Sequence, residues 1–459
     1  MGVTTVQNDL SLKLAGHFRE VEESLQGNSA GILNSFRKKA FHNFLSQGIP
    51  TRKSENYKYT NLQPAFSVDY QFVHNREVAD FHLEEMFKCD VPQLDTHLVT
   101  MLNGWYYQEL GTDGILPEGV ILDSLENIAH TRPDLLENVY GSQADTASDP
   151  LVALNTVFAR DGYFLYVPKN VRIEKPLQII NLLKAEKDTY VTQRNLVLVE
   201  PGAEVTLILC DHTLNLNHYL NNSVTEIFIG ENASVDYYTV QNQHNQHNHA
   251  VSVNSVFVRQ ERDSHLTTNT ITLHGGLIRN NLKVVLDGVN SEANMYGMSF
   301  LDKKQHVDNF TQIVHAQPHC ESNQLYKNVL DDESSGAFSG RINVRRDAQK
   351  TNAFQRNNNL LLTDKAQMQT KPQLIIEADD VKCSHGATIG QIDEDALFYL
   401  RSRGIEEKQA RLIMMNAFSY EVVQTIQVEP LRDRINELIE KRLRGDMGRC
   451  HACAYQCEC

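Results

Sequence analysis

The sequence lacks the features that mark membrane, secreted and nucleic-acid-binding proteins. No apolar run approaches the roughly 18 residues that a spanning helix needs, and MGVTTVQNDL has neither the basic start nor the apolar stretch of a signal peptide. No block of Lys or Arg is present, and 43 basic against 58 acidic side chains give a net charge of −15. We therefore expect a cytoplasmic protein that binds neither membrane nor nucleic acid and whose partner carries basic patches.

Familiar catalytic motifs are missing as well. The chain has no GxxxxGK[ST], no GxSxG and no GxGxxG after a strand, so the common nucleotide-binding and hydrolase classes do not fit, and we expect a protein that is not an enzyme. Its eight cysteines include four that lie far apart, at Cys89, Cys210, Cys320 and Cys383. In a reducing compartment such thiols indicate packing, metal or redox chemistry rather than a disulfide framework.

The first third of the chain is predicted to be mostly helical. SAGILNSFRKKAFHNFLSQGIP places apolar residues at helical spacing and ends at Gly48 and Pro50. In LVTMLNGWYYQEL the pair Asn103-Gly104 stands between alternating apolar residues, which predicts a β-hairpin. A chain of 459 residues is too long for one ordinary core, and we assign residues 1–150 to an N-terminal helical domain with a small hairpin.

A repeat of short strand-like runs begins near residue 150. Small residues recur at intervals of 30, 31 and 29 residues, and later at 16, 13 and 17, in two series: Ala203, Ala233, Ser264 and Ala293, then Ala337, Ala353, Ala366 and Cys383. Self-similarity of this kind in a strand-rich segment is typical of a β-solenoid whose coils stack small residues at their corners. The sequence predicts a solenoid over residues 151–392, with a pair of β-sandwiches as the alternative.

Three short helices are predicted after Gly390. IDEDALFYLRSRG ends at Gly404, EEKQARLIMMNAFSYEVV carries one apolar stripe, and PLRDRINELIEKRLRG begins at Pro430 and ends at Gly445. These helices define a C-terminal helical domain at residues 393–449. Their apolar faces need each other, the end of the solenoid or a partner for burial.

The stretch KCSHGATIG holds the most informative candidate site. In a strand, residues two apart share a face, so Cys383 and His385 stand roughly 7 Å apart and their sulfur and imidazole nitrogen can converge on one metal ion. Two ligands do not close a tetrahedral site, and a functional site here would take further ligands from another chain. The alternative is that Cys383 packs as a small apolar residue while His385 bonds a corner carbonyl.

Other histidines and cysteines are weaker candidates. His315, His319 and Cys320 in HAQPHC cannot all face one metal in a strand, so structural roles are favoured. A polar solenoid face is likewise favoured for the Asn/Gln-rich stretch that contains His244, His247 and His249. The tail at residues 450–459 has four thiols that could bind zinc or a small iron-sulfur cluster, with a disordered, metal-scavenging terminus as the alternative: Cys450, Cys453, Cys457 and Cys459.

Several stretches resemble a known family. GRINVRRDAQKTNAFQRNNNLLLTDKAQMQTKPQLIIEADDVKCSHGATIGQIDEDALFYLRSRGI closely resembles the SufD members of the SufB/SufD family of iron-sulfur cluster assembly proteins. LNTVFARDGYFLYVPKNVRIEKPLQI, HAQPHCESNQLYKNVLD and TRKSENYKYTNL are also similar to that family. Tyr57 stands where the family usually has tryptophan in E-x-W-[RK]-Y-T, which we interpret as tolerated packing. The cysteine-containing central segment of SufB members is not found.

The resemblance implies a mainly β fold, in which a right-handed β-helix core is flanked by N-terminal and C-terminal α-helical domains. It implies pairing with SufB through the β-helix cores and binding of the SufC ATPase through the C-terminal helical domain. The complex would be a scaffold for a nascent iron-sulfur cluster, with sulfur from the SufS cysteine desulfurase and its carrier. His385 would be an iron or cluster ligand at the SufB–SufD interface, with Cys383 in the same motif.

The last predicted coil leaves an open β-edge for a second subunit, so shared ligation there would complete the ligand set. We hypothesise that ATP-driven SufC dimerisation displaces the helices around LFYLRSRGI and opens the interface. This predicts a partner-binding segment made of Leu397, Phe398, Tyr399, Leu400, Arg401, Ser402, Arg403, Gly404 and Ile405. The cluster would be transient, the isolated chain would hold none, and it could form a homodimer. A purely structural subunit and a β-helix carbohydrate-active enzyme are the rival interpretations.

Overall fold

The computed structural model describes residues 2–28, 30–76, 94–107, 116–184, 186–214, 217–243 and 250–444. Across these ranges, none of the helices is long and apolar enough to cross a membrane. The described chain is a β-solenoid with helices packed on both of its sheets. Its first helices are α1 (Gly2–Asn28), α2 (Gly31–Gln47), α3 (Gln63–Phe66), α4 (Leu125–Thr131) and α5 (Pro150–Phe158).

In the part of the chain that the structure describes, two mixed sheets of ten strands each form the solenoid, with parallel pairing between its successive coils. The first sheet contains β1 (Gln71–Phe72), β4 (Ile121–Ser124), β5 (Tyr163–Val167), β7 (Thr189–Val199), β9 (Tyr219–Ile229), β11 (Ala250–Gln260), β13 (Leu277–Leu286), β15 (His306–His315), β17 (Ser335–Val344) and β19 (Gln367–Ile376). The second contains β2 (His97–Leu102), β3 (Trp105–Tyr107), β6 (Leu177–Leu183), β8 (Glu204–Thr213), β10 (Ser234–Asn242), β12 (His265–His274), β14 (Glu292–Leu301), β16 (Glu321–Leu330), β18 (Thr351–Leu361) and β20 (Val381–Gln391).

One corner of each coil is fixed by a residue in the left-handed backbone region. These residues recur every 27 to 32 positions, at Asn170, Gly202, Asn232, Asp263, Asn290, His319 and Lys350. Glycine, asparagine and aspartate tolerate this conformation better than most residues, which explains the polar breaks between strands. A small, fully buried residue follows most of these corners: Ala203, Ala233, Ser264, Ser291 and Cys320.

The predicted repeat is confirmed, with two adjustments. Ser291 occupies the corner position, whereas Ala293 lies two residues further along, in β14 opposite Leu266. The later spacing shortens because the second series alternates between the two sheets. In the first sheet β19 still follows β17 after about one full coil, and in the second sheet β20 follows β18 in the same way. This spacing matches that of the first series. The period of the solenoid is therefore nearly constant.

The N-terminal region contacts the first sheet through buried charged groups. Arg194 in β7 pairs with Glu226 in β9 at 2.5 Å, and both side chains are 1% exposed. The Glu226 carboxylate also accepts hydrogen bonds from the backbone N–H groups of Gly141, Gln143 and Ala144. Because a buried carboxylate needs such partners, this pair fixes the loop before α5 on the sheet.

The conspicuous segment TRKSENYKYTNL packs on the same sheet further along. Tyr57 is buried, donates a hydrogen bond to Asp149 at 2.7 Å and lies under the guanidinium of Arg279. Thr60 and Arg279 both donate to the Asp308 carboxylate. Tyr57 is thus a packing residue, and its hydroxyl adds a hydrogen bond.

Several sequence predictions about individual elements are confirmed. The helix expected before Gly48 is α2, and the hairpin at Asn103-Gly104 joins the antiparallel strands β2 and β3. Up to residue 444, where the description ends, three helices follow the solenoid, and the second and third pack their apolar faces against the second sheet: α6 (Glu394–Ser402), α7 (Glu407–Val423) and α8 (Glu429–Arg444). The domain boundaries at residues 150, 392 and 449 stay predictions.

Candidate functional site

The stretch KCSHGATIG lies in β20, the last strand of its sheet. Cys383 is in register with Ala353 of β18, and His385 is in register with Gln355. Ala353 and Gln355 are 0% and 1% exposed, so both face the solenoid interior. Since residues in register on parallel strands point to the same face, Cys383 and His385 also face inward. They lie at the open end of the solenoid, where no further coil covers them among the described residues.

The two side chains differ in their surroundings. Cys383 is partly buried and packs against the interior apolar cluster, and this burial raises the pKa of its thiol, although a backbone hydrogen bond involving Ala353 opposes the shift. His385 is exposed. A raised pKa keeps the thiol protonated at neutral pH, so metal binding through sulfur would have to displace that proton.

This pair supplies only part of a ligand set. Within the ranges that the structure describes, no three His, Cys, Asp or Glu side chains are grouped so that they could hold a metal ion. A closed tetrahedral site needs about four ligands. The open end can therefore bind iron or a cluster only if a second chain or the cluster's own sulfides supply the others.

Part of the interior behind this end is polar, a feature that the sequence reasoning missed. A cavity of about 60 Å³ lies inside the solenoid, and polar side chains dominate its lining, among them Asn181, Gln193, Asp211, Asn254, Asn280 and Thr311. Side-chain hydrogen bonds join the residues between this cavity and the open end. Thr311 donates to the Gln324 amide oxygen at 2.8 Å, and Gln355 donates to the same oxygen at 3.0 Å.

The rim of the open end combines apolar side chains with unpaired strand edges. β19 and β20 each pair with a single neighbour in the described part of the chain. Phe354, Ile375, Ile376 and Ile389 are between 40% and 47% exposed. Unpaired backbone groups beside exposed aliphatic residues are typical of a surface that binds another chain.

The predicted partner-binding segment in and after α6 has two faces. Leu397 is buried with Ile392 and Ala410, and the partly buried Leu400 and Ile405 pack on the same cluster. The opposite face exposes six residues of the segment: Phe398, Tyr399, Arg401, Ser402, Arg403 and Gly404. Phe398 is 72% exposed and Tyr399 57%, and both exceed the exposure of the aliphatic residues at the rim. The exposed face is therefore an aromatic and basic surface.

The histidines and cysteine of HAQPHC do not form a metal site. His315 is buried and its Nε2 lies 2.9 Å from the Ser322 hydroxyl, while burial lowers its pKa to about 4. Cys320 is buried at the corner and its thiol donates to the Gly288 carbonyl at 3.3 Å. His319 occupies the exposed left-handed corner position. The favoured structural roles are confirmed.

Some candidate residues lie outside the described part of the chain. These are Cys89, the three histidines His244, His247 and His249, and the tail cysteines Cys450, Cys453, Cys457 and Cys459. Metal binding by the tail stays a prediction.

Comparison with known proteins identifies the family. Residues 181–418 match the family described as "SUF system FeS cluster assembly, SufBD core domain", and residues 8–179 match "SufBD protein N-terminal region". The chain is 30% identical over 445 residues to an iron-sulfur cluster assembly SufBD family protein of Synechocystis, covering 93% of this chain and 96% of that one. It is 31% identical over 410 residues to the iron-sulfur cluster assembly protein SufD of Escherichia coli, covering 87% and 91%.

A third relative is the SufD protein of Bacillus subtilis, which is 29% identical over 343 residues and covers 71% of this chain and 75% of its own length. The two family matches together span most of the chain, and the boundary between them lies between Ile179 and Asn181, in β6 of the solenoid. The core match includes the strand that carries Cys383 and His385, together with all of α6. On these findings the chain belongs to the SufBD family of iron-sulfur cluster assembly proteins.

Proposed function

We propose that this chain is the non-ATPase scaffold subunit of a Suf complex, in which it pairs with SufB and binds the SufC ATPase in the cytoplasm. His385, with Cys383 beside it, then contributes ligands to iron or to the nascent cluster, which is the substrate of the assembly. The observation that carries this proposal is an incomplete pair of inward-facing ligands at the open end of the solenoid. A paired subunit would complete the set.

Pairing with SufB would use the rim of the open end. The edges of β19 and β20 offer backbone groups for strand addition, and Ile375, Ile376 and Ile389 offer apolar area around them. A second solenoid that docks there would cover His385 and exclude water from the shared site. In the absence of SufB, the same rim would support a homodimer of this chain.

Binding of SufC would use the exposed face of α6. Phe398 and Tyr399 are aromatic residues of the kind that dominate protein interfaces, and Arg403 stacks over the Tyr399 ring at 5.2 Å. When SufC subunits dimerise on ATP, α6 would be displaced, and the displacement would reach β20 and open the shared site. Sulfur would arrive from the SufS cysteine desulfurase through its carrier.

The test is reconstitution of the complex from SufB, SufC and this chain, either unchanged or carrying His385→Ala. Bound iron and acid-labile sulfide are measured, and size-exclusion chromatography follows the integrity of the complex. His42→Ala is the matched control, because His42 is exposed on α2, far along the chain from β20. We expect His385→Ala to lose cluster while the complex stays intact, and the control to load normally.

Normal iron and sulfide in the His385→Ala complex would contradict the ligand role. The chain would then be a purely structural subunit, and the chemistry would belong to SufB. Loss of the complex itself would instead place His385 in the packing of the interface.

A further inference from the structure

Gln355 lies one coil beneath His385 and continues the same inward-facing column. Gln324 of β16, Gln355 of β18 and His385 of β20 are in register along the sheet. Neighbouring strands lie about 4.8 Å apart, which is within reach of a hydrogen bond between such side chains. Gln355 is 1% exposed, so its amide must find its partners inside the solenoid or at the open end.

Half of that amide is unsatisfied. The Gln355 Nε2 group donates to Gln324 Oε1 at 3.0 Å, whereas Gln355 Oε1 has no hydrogen-bond partner among the described residues. The nitrogen and oxygen of a side-chain amide lie on opposite edges of its plane. The nitrogen is directed toward the preceding coil, and the in-register residue of the following coil is His385, which is the candidate donor for the oxygen. A buried acceptor without a donor is unfavourable, which favours a partner from that side.

A glycine in the opposite sheet leaves room for this arrangement. A Cβ atom added at Gly340 in β17 would lie 2.2 Å from Gln355 Nε2 and 2.7 Å from its Cδ. Any larger residue at position 340 would therefore move the amide away from its present place. Gln324 holds the amide by a hydrogen bond on one side. On the other side, the missing side chain of Gly340 leaves the space that the amide occupies.

We propose that Gln355 is a positioning residue for His385. In this role the exposed His385 side chain turns inward and donates one imidazole N–H to the unpartnered Gln355 Oε1 atom, so the ring is held in one tautomer and the other nitrogen faces the open end with its lone pair available for iron. An oxygen partner behind a metal-binding imidazole orients the ring and increases its basicity. The inference rests on the proposed ligand role of His385, and Gln355 acts through that residue without touching the metal.

The first test uses the isolated chain and needs no partner. Long-range proton–nitrogen NMR of chain labelled with ¹⁵N-histidine, in mildly alkaline buffer, reports the tautomer of His385, and His385→Gln assigns its signals. We expect one tautomer in the unchanged chain and a mixture in Gln355→Leu. Gly340→Ala should give the same mixture although Gln355 is still present, because the new methyl displaces the amide.

Two further variants distinguish an effect of the amide's position from an effect of protein stability. Gln355→Asn keeps a buried amide but moves it away from His385 by one methylene, so it should also give a mixture of His385 tautomers. Gln260→Leu removes another fully buried glutamine, in β11, and should leave the His385 signals unchanged even if it lowers the melting temperature. Identical tautomer populations in the unchanged chain and in all three variants at Gln355 or Gly340 would overturn the proposal.

The second test measures iron in the complex with SufB and SufC. Loss of a partner behind a ligand typically weakens metal binding by about 10- to 100-fold, and we expect Gln355→Asn and Gly340→Ala to fall in that range. If His385→Ala leaves iron binding unchanged, the proposed function fails while the NMR result still decides the hydrogen bond. If His385→Ala loses iron and these two variants do not, His385 is a ligand and the positioning role is wrong.

Discussion

The exposed aromatic face of α6 gives the sharpest prediction about partner binding. Phe398 is 72% exposed, and Tyr399 beside it is 57% exposed. An aromatic side chain buries about 150–250 Å² when fully covered, so docking of SufC could remove about 140 Å² of Phe398 from water. At about 25 cal/mol per Å², this area corresponds to a favourable free energy of about 3.5 kcal/mol.

We therefore expect Phe398→Ala to weaken SufC binding by about 2–3.5 kcal/mol, or roughly 30- to 300-fold in Kd. Tyr399→Ala should weaken the free energy of SufC binding by about 2 kcal/mol, since less of the Tyr399 ring is exposed in the isolated chain. Isothermal titration calorimetry of the isolated chain with SufC measures both values. Alanine favours helices, so neither variant should disturb α6 itself.

Tyr420→Ala is the matched control. Tyr420 is 60% exposed on the neighbouring helix α7 but lies outside the predicted segment. Leu397→Ala would not be informative, because this buried residue anchors α6 and its truncation would cost about 2–5 kcal/mol of stability. A Kd unchanged by Phe398→Ala, or an equal loss with Tyr420→Ala, would refute the assignment of this face to SufC.

Three further predictions concern stability and the tail. Glu226→Ala should lower the free energy of unfolding by about 3–5 kcal/mol in denaturant titrations, since it leaves Arg194 buried without its ionic partner, whereas Glu333→Ala, in an exposed pair, should change it little. His315 has a pKa of about 4 when folded against 6.5 when unfolded, so the folded state binds fewer protons and stability should fall by about 3 kcal/mol between pH 6.5 and 4. That slope should be shallower in His315→Gln, and an equal slope would show that His315 is not its source. Deletion of residues 450–459 should leave binding of SufB and SufC intact in size-exclusion titrations, and a lost partner would give the tail a structural role.

The elements that could be predicted from the sequence are those coded by local patterns. The corner positions at Asn232 and Asp263 need a left-handed backbone, and their polar side chains interrupt the strands at regular intervals. The hairpin follows from Asn103-Gly104, and both residues have positive φ. The three C-terminal helices follow from apolar periodicity. In each case the deciding residues lie within about one coil or one helix turn of each other.

The interior of the solenoid could not be predicted in the same way. In FQRNNN the aromatic Phe354 faces outward and the polar Gln355 faces inward, which reverses the usual division between apolar core and polar surface. Reasoning from hydrophobic alternation assigns the wrong face to such a strand. The hydrogen bonds that make the inversion tolerable join different coils, as Gln355 and Gln324 do, and are 31 residues apart in sequence.

The contacts of the segment TRKSENYKYTNL could not be predicted from the sequence for a related reason. Thr60 meets Asp308 across 248 residues, and neither residue's local sequence indicates the other. The family resemblance drew attention to the segment but did not say what it contacts. Buried pairs of this kind require the fold before they can be recognised, because each charged group alone would be assigned to the surface.

The position of α6 indicates how ATP-driven motion would reach the site. β20 ends at Gln391 and α6 begins at Glu394, so the helix that carries Phe398 is joined almost directly to the strand that carries His385. A second route runs through the apolar cluster in which Leu397 of α6 packs with Leu360 of β18. The exposed Arg356–Glu421 ion pair between β18 and α7 adds little, since such pairs contribute about 0–1 kcal/mol. Through the short covalent link, SufC bound to α6 would pull on β20 directly. Alanine substitutions in Leu397–Ile405 that abolish SufC binding yet leave cluster formation intact would contradict this coupling.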